Sequence, residues 1–547
     1  MTPHDNGLRF LENGPLTAQI WEGPAASIAF DAAGIKEKLL NLDQPCYLVG
    51  DTTRIGVTNE GRAHCPAGHE TEPEQLLLTV PPLPRQRLGD PAFLTAHGAR
   101  YPYMTGSMAH AISGEDLVIA LGKAGILASF GAGGLAPERV ETAIRRIQAA
   151  LPQGPYAFNL LHSPSEPALE DHTVNLYLKY GVTTVEAAAF IALTPALVRY
   201  RVAGLGLDAD GQIEIQNQVM AKVSRREVAT RFLQPPPAKI VQLLREQNLI
   251  TELQATLAER VPMADDITVE ADSGGHTDNR PLVCILPSII ALRDELQEQY
   301  DYPQPVRIGA AGGIGTPSAM LGAFMMGAAY VLTGSVNHAC VEAGASQHTK
   351  KLLSQAATTD VMMAPAADMF EMGVQVQVLK RGSLFPMRAR KLFELYKTYA
   401  SIEDIPAAER EKLEQRTFRR SLESVWEECE AFFGERDPAQ LAKAARDPRR
   451  KMALIFRWYL GRAAYWSITG EKGREADYQI WCGPAMGAFN DWTRGSYLAE
   501  PSNRHVADVA RQLLTGAAFL YRLQSLQLSG LQIPVYYRRY RPIPLNE

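Results

Sequence analysis

Between about residues 100 and 335 the chain repeats one pattern: a short apolar run, a glycine-rich or polar turn, then an amphipathic stretch with helical spacing. The apolar runs fall at Tyr103–Gly106, Ile126–Phe130, Tyr156–Leu160, Thr183–Ala187, Gln218–Val223, Ile267–Asp272, Val306–Ala311 and Ala329–Thr333. Helical patterns at Pro137–Ala150, Ala168–Tyr180, Leu282–Tyr300 and Ser318–Met326 separate several of them. Pro137 and Pro317 sit where a first helical turn tolerates proline. A helix between two strands carries the chain back, so that the next strand runs parallel to the last. Eight such units predict a closed (β/α)8 TIM barrel. An open doubly wound sheet would show a phosphate-binding glycine fingerprint at its first strand–helix turn. Neither G-x-G-x-x-G nor G-x-x-x-x-G-K-[ST] occurs in the chain.

The flanks differ in texture. Residues 1–95 mix short apolar runs, such as Cys46–Gly50 and Leu76–Val80, with turn formers, and end in a proline-rich, charged linker. They are expected to form a small β-containing N-terminal module. The barrel is assigned to 96–387. Residues 388–500, rich in helix formers, charges and aromatics, are expected to add a helical domain, and 501–547 a C-terminal helix and tail that pack on the barrel. A chain of 547 residues with 46% hydrophobic content can bury a core of this size. The net charge of -5 argues against nucleic acid as the main partner, because phosphate neutralisation calls for a basic balance. The six cysteines are scattered and form no C-x-x-C pair, as suits free thiols in a reducing compartment. His64, Cys65 and His69 lie close in sequence but lack further ligands, so no metal site is expected. The absence of a basic leader with an apolar run, and of an 18-residue apolar stretch, predicts a soluble, cytoplasmic protein with no membrane partner.

Active sites of β/α barrels gather at the C-terminal ends of the strands. The residues there are Gly106-Ser-Met108, Gly131-Ala-Gly-Gly134, Asn159, Glu186, Lys222, Ser273-Gly-Gly-His276, Gly312-Gly313 and Gly334-Ser335. Glycines after the last two strands let a phosphate approach the backbone, and a following helix offers unpaired N–H groups. Gly312, Gly313, Gly334 and Ser335 are therefore expected to form a phosphate cradle. Ser273-Gly-Gly-His276 places a near-neutral titrating ring on an open turn, suited to proton delivery or to polarising a carbonyl. Lys222 is suited to a phosphate or to the electron-rich edge of a reduced cofactor. Asn159, an amide within an apolar run, needs either backbone or ligand partners.

Together these pieces resemble the FMN-dependent barrels of the nitronate monooxygenase superfamily, which includes flavin-type enoyl-acyl-carrier-protein reductases. Four longer stretches resemble the PfaD-type trans-acting enoyl reductases of polyunsaturated-fatty-acid and trans-acyltransferase polyketide synthases. They are Met104–Ala109, Glu270–Pro281, Val378–Pro386 and Trp481–Gly487. The resemblance implies FMN held by Gly106, Met108, Asn159, Lys222, Gly274, Gly275, Gly312, Gly313, Gly334 and Ser335, with His276 facing the reacting carbons. It implies that NADPH (or NADH) acts as a transient hydride donor. The substrate would be a 2,3-enoyl thioester on an acyl carrier protein, with the helical domain serving substrate and carrier. Basic segments at Lys380–Lys391 and Arg449–Lys451 are candidate carrier contacts. The alternative activity is that of a nitronate monooxygenase, and whether the protein is a homodimer is left open.

Overall fold

A computed structural model describes residues 8–10, 19–51, 54–65, 75–162 and 167–545. His69, one of the weighed metal ligands, lies outside them. Eight parallel strands close into a barrel: β1 (Tyr103–Thr105), β2 (Leu127–Phe130), β3 (Ala157–Leu161), β4 (Thr184–Ala188), β5 (Gln218–Val223), β6 (Asp266–Glu270), β7 (Arg307–Ala311) and β8 (Val331–Thr333). Closure comes from β8 pairing with β1, Val331 opposite Tyr103 and Thr333 opposite Thr105. Every strand expected from the alternation is present, within a residue or two at its ends.

The two-residue period of a strand sorts its side chains between two cores. On β5, Val219, Ala221 and Val223 point outward into the large core under the surrounding helices. Met220 points inward with Met104, Leu127, Ala157, Ala311 and Leu332. The helix Pro91–His97 closes the N-terminal end of this interior: Phe93 joins the inner core and stacks on Tyr330, with ring centroids 4.3 Å apart. Gly309 leaves room for that tyrosine, since a Cβ there would lie 2.3 Å from the Tyr330 ring. Below this layer Asp266 is fully buried. Its Oδ1 accepts from Arg307 Nε at 2.7 Å, and its Oδ2 accepts from Arg307 Nη2 at 2.7 Å and lies 2.8 Å from His97 Nε2.

The first and last parts of the chain fold on one another. Strands Cys46–Gly50, Ile55–Thr58 and Leu76–Val80 form an antiparallel sheet beside the helix Ala32–Leu40, whose first turn is capped by Asp31. Ile35, Leu39, Leu48 and Val57 share a core with Ala518, Phe519 and Leu523 of the long helix Val506–Leu528. The buried guanidinium of Arg522 donates to the carbonyls of Leu39, Asn41, Leu42 and Gln44 and so satisfies the end of the first helix. The same long helix packs on the barrel, where Gly516 lies against Pro317.

Beyond the barrel, Phe385–Thr398, Leu422–Arg436 and Pro448–Thr469 form a helical layer whose Phe385, Leu392, Val425 and Phe456 belong to the same continuous core as the barrel helices. The boundaries expected at 95 and 387 each fall inside a helix, Pro91–His97 and Phe385–Thr398. Three cations of the basic segments are engaged within the protein. Arg388 is bound to the buried carboxylate of Asp477, which also holds Arg474, Arg419 and the Tyr459 hydroxyl. Arg450 is bound to Glu371, and Lys391 to Glu409 at 3.0 Å. These cations hold helices together. Among the described residues no helix is long and apolar enough to cross a membrane.

Candidate active site

At the C-terminal mouth of the barrel the inward-facing residues turn from apolar to ionisable. Lys222 ends β5 with its ammonium 3.0 Å from Glu270 Oε1 of β6 and 3.9 Å from Glu186 Oε1 of β4. Burial works against the charged amine. The two carboxylates outweigh it and hold Lys222 above the ordinary lysine range, so it stays an ammonium. Glu186 is itself fully buried. Its Oε2 accepts the Ser107 N–H at 2.8 Å, while Oε1 has no hydrogen-bond partner. Asn159 stands beside it on β3, donating from Nδ2 to the Glu186 carbonyl at 3.1 Å. The expected trio of Asn159, Glu186 and Lys222 is thus brought together, with Glu270 added.

His276 lies over this mouth on a two-residue strand, Gly275–His276, which pairs antiparallel with Gln375–Leu379; Val361–Pro365 completes the sheet. That sheet delivers Asp368, whose Oδ1 is 3.2 Å from His276 Nε2. The imidazole side chain is 39% exposed, so it is accessible from the mouth. Burial pulls its pKa down, but the bond and charge of Asp368, with Glu270 behind, more than compensate against the opposing Lys222. His276 titrates above the usual histidine range. Asp368 is held below the usual carboxylate range by the same pairing, which outweighs its own burial.

The glycines divide into two kinds. A Cβ on Gly274 would come within 2.8 Å of Cys482 N, one on Gly312 within 2.6 Å of the Ala271 carbonyl carbon, and one on Gly106 within 2.6 Å of a Leu332 methyl. Gly274 and Gly312 are required where chain crosses chain, while Gly106 makes room for the Leu332 side chain. Around Gly313 and Gly334, by contrast, a Cβ would meet nothing within 4 Å. Gly313 also has φ +72°, a left-handed value that favours glycine. Space beside the backbone, which a phosphate requires, exists at these two positions. Ser335 adds a hydroxyl whose oxygen accepts the Gly483 N–H at 2.9 Å and whose own hydrogen remains to donate. At the neighbouring strand end, Thr316 Oγ1 already caps the helix Pro317–Met325 by accepting from Ala319 N–H. Met108 is half-buried, with its N–H given to Ser113 Oγ at 2.8 Å.

A strap from the C-terminal part crosses this face, and local sequence patterns gave no cause to place it there. Trp481 stacks near-parallel to His110, with centroids 5.9 Å apart, and its carbonyl lies 3.2 Å from Nδ1 of buried His338. Gly315 admits Ala485, whose carbonyl oxygen would lie 2.1 Å from any Cβ there. Trp481, Gly483, His110 and Asp368 are the site residues that reading strand ends missed. Asp368 is 92 residues from its histidine and Gly483 is 148 from its serine, separations that no local motif reports.

Comparison with known proteins agrees with this architecture. Residues 91–416 match the nitronate monooxygenase family, 21–82 the N-terminal domain of fatty acid synthase subunit PfaD, and 399–478 the inserted helical domain of [acyl-carrier-protein] S-malonyltransferase. The chain is 49% identical over 92% of its length to a polyunsaturated fatty acid synthase polypeptide of Thraustochytrium sp., and 44% identical over 81% to the polyketide biosynthesis protein PksE of Bacillus subtilis. It spans 34% of the first relative and 58% of the second. The crystal structure of the enoyl reductase domain of MlnA, from the macrolactin cluster of Bacillus amyloliquefaciens, is matched over all of that domain and 81% of this chain. The identity there is 39% and the TM-score 0.77. The chain belongs to the nitronate monooxygenase family, in its PfaD-type branch.

Proposed function

We propose that the barrel mouth is the active site of an FMN-dependent enoyl reductase, acting on 2,3-enoyl thioesters carried by an acyl carrier protein with NADPH (or NADH) as reductant. The observation that carries this reading is His276, held by the Asp368 carboxylate at 3.2 Å, facing a mouth where Gly313 and Gly334 leave open backbone. The phosphate of FMN would lie against Gly313, Gly334 and the Ser335 hydroxyl, with Asn159, Glu186 and Lys222 toward the ring. The buried Glu186 Oε1, which accepts no hydrogen bond within the protein, fits a ligand N–H. When bound, the flavin supplies the hydride chemistry between nicotinamide and the unsaturated carbon.

The chain's own part is proton delivery and charge control. Asp368 engages Nε2, which leaves Nδ1 of His276 to donate its proton to the α-carbon or to a hydrogen bond with the thioester carbonyl. Glu270 and Glu186 keep Lys222 charged. The enoyl reductase activity named for the MlnA domain, and the naming of PfaD and polyunsaturated-fatty-acid synthases among the matches, support this reaction class over nitronate oxidation. The test is anaerobic: NADPH consumption with crotonyl-pantetheine is expected. No reduction of the enoyl thioester, together with oxygen uptake on a nitronate in a parallel aerobic assay, would reverse the assignment.

A further inference from the structure

A second cavity lies at the opposite end of the barrel, where the chain enters β1 and β2, between the N-terminal module and the helix Val506–Leu528. Its volume is about 800 Å³, within the range of small-molecule sites. Among the described residues its walls carry Arg85, Arg100, Lys123 and Arg511 and one carboxylate, Asp43, although the whole chain is acidic. Arg85, Arg100 and Lys123 form no ion pair among the described residues. The guanidinium carbons of Arg85 and Arg100 lie 5.7 and 5.4 Å from the centre of a single ring, that of Tyr101. Each guanidinium is thus within cation–π range of the ring, and Arg85 also donates to Thr515 Oγ1 at 3.5 Å, but no carboxylate pairs with either among the described residues, and a bound anion would balance the positive charge of the cleft. The helix dipole accounts for Lys123, which sits in the last turn of Glu115–Lys123, but for neither arginine.

We propose that this cleft binds a phosphorylated organic molecule of about mononucleotide size. Planar guanidinium forks match phosphate oxygens in pairs, and the apolar parts of the lining suit an organic body. The concave shape favours a small ligand over a protein surface. Calorimetric titration of ADP into the protein, with its barrel mouth saturated by FMN, tests this. Wild type is expected to bind. In Arg100→Gln/Lys123→Gln the affinity is expected to fall at least tenfold. Ala124→Trp, which keeps the charges but fills the cleft, is expected to abolish binding. Reduction of the enoyl thioester should be unchanged in both variants, and circular dichroism confirms that each is folded. The proposal is overturned by absence of binding to wild type, by equal affinity in the charge variant, or by binding retained in Ala124→Trp. Binding of a polyglutamate peptide in place of ADP also overturns it, marking the cleft as a docking surface for an acidic protein.

Discussion

The two ends of the barrel carry the same chemistry, a histidine, carboxylates and a cation, and treat it in opposite ways. At the N-terminal end both oxygens of Asp266 are engaged by Arg307 and His97 beneath a stacked Phe93–Tyr330 lid, and only Nδ1 of His97 is left over in that trio. At the C-terminal end Glu186 keeps an unpartnered oxygen, His276 is open to the mouth, and two glycines border empty space. The closed set holds the barrel together, whereas the open set keeps polar groups that the protein's own hydrogen bonds do not satisfy. The sharpest way to break the comparison is Asp266→Ala, which strands Arg307 as a buried, unpaired charge and should cost about 3–5 kcal/mol. Thermal unfolding should show the loss, with turnover per folded molecule unchanged at low temperature. A large loss of turnover with little change in stability would mean that the closed end is not merely structural. The same group sets an acid limit. Its pKa is depressed to about 2, since His97 and Arg307 outweigh its burial, so the stability it contributes is present above its unfolded value and lost as pH falls toward 2.

The mirror experiment is His276→Ala at the open end. Loss of a positioned proton donor should lower enoyl reduction roughly a hundred- to a thousandfold. Because the side chain is partly exposed, the melting temperature should barely move. Wild-type turnover with flavin bound would remove His276 from the chemistry. Asp368→Asn then sharpens the assignment with a smaller effect. Asp368 raises the histidine pKa, so its removal should move the basic limb of the kcat profile to lower pH. Turnover should fall about tenfold above neutrality and little below it. An unshifted limb would show that Asp368 serves only the small sheet.

The contrast also explains what could be read from residues alone. The strands were legible because each is buried on both faces and so reads as a short apolar run between turn and helix, as Val219, Met220 and Ala221 show. His276 was legible because two glycines and a strand end surround it in sequence. Asp368 and the Trp481 strap were not, because tertiary pairing alone brings them to the mouth. Arg388 looked like a surface contact because an arginine's sequence neighbours do not reveal a buried Asp477 across a helix layer. Glycine is the hardest residue to read in this way. Gly274 and Gly312 are needed for crossings of backbone, and Gly313 and Gly334 for none, yet all four sit in equally small, polar turns.

That last division yields the smallest and most discriminating prediction. Gly334 has φ -130° and ψ -69°, without the left-handed φ of Gly312, and a methyl group there meets no protein atom within 4 Å, so Gly334→Ala brings no clash and less strain than Gly312→Ala. Gly312→Ala, at φ +85° and against the Ala271 backbone, should destabilise the protein whether or not flavin binds. If the phosphate lies where Gly334 leaves room, the added methyl should disturb about one hydrogen bond and weaken FMN binding roughly five- to tenfold. The flavin-free protein should melt closer to wild type than Gly312→Ala does. Fluorescence titration of FMN into the two variants, with thermal melts beside it, separates the effects: mainly a loss of affinity for Gly334→Ala, and mainly a loss of stability for Gly312→Ala. Unchanged affinity in Gly334→Ala would place the phosphate elsewhere and leave that open space unexplained.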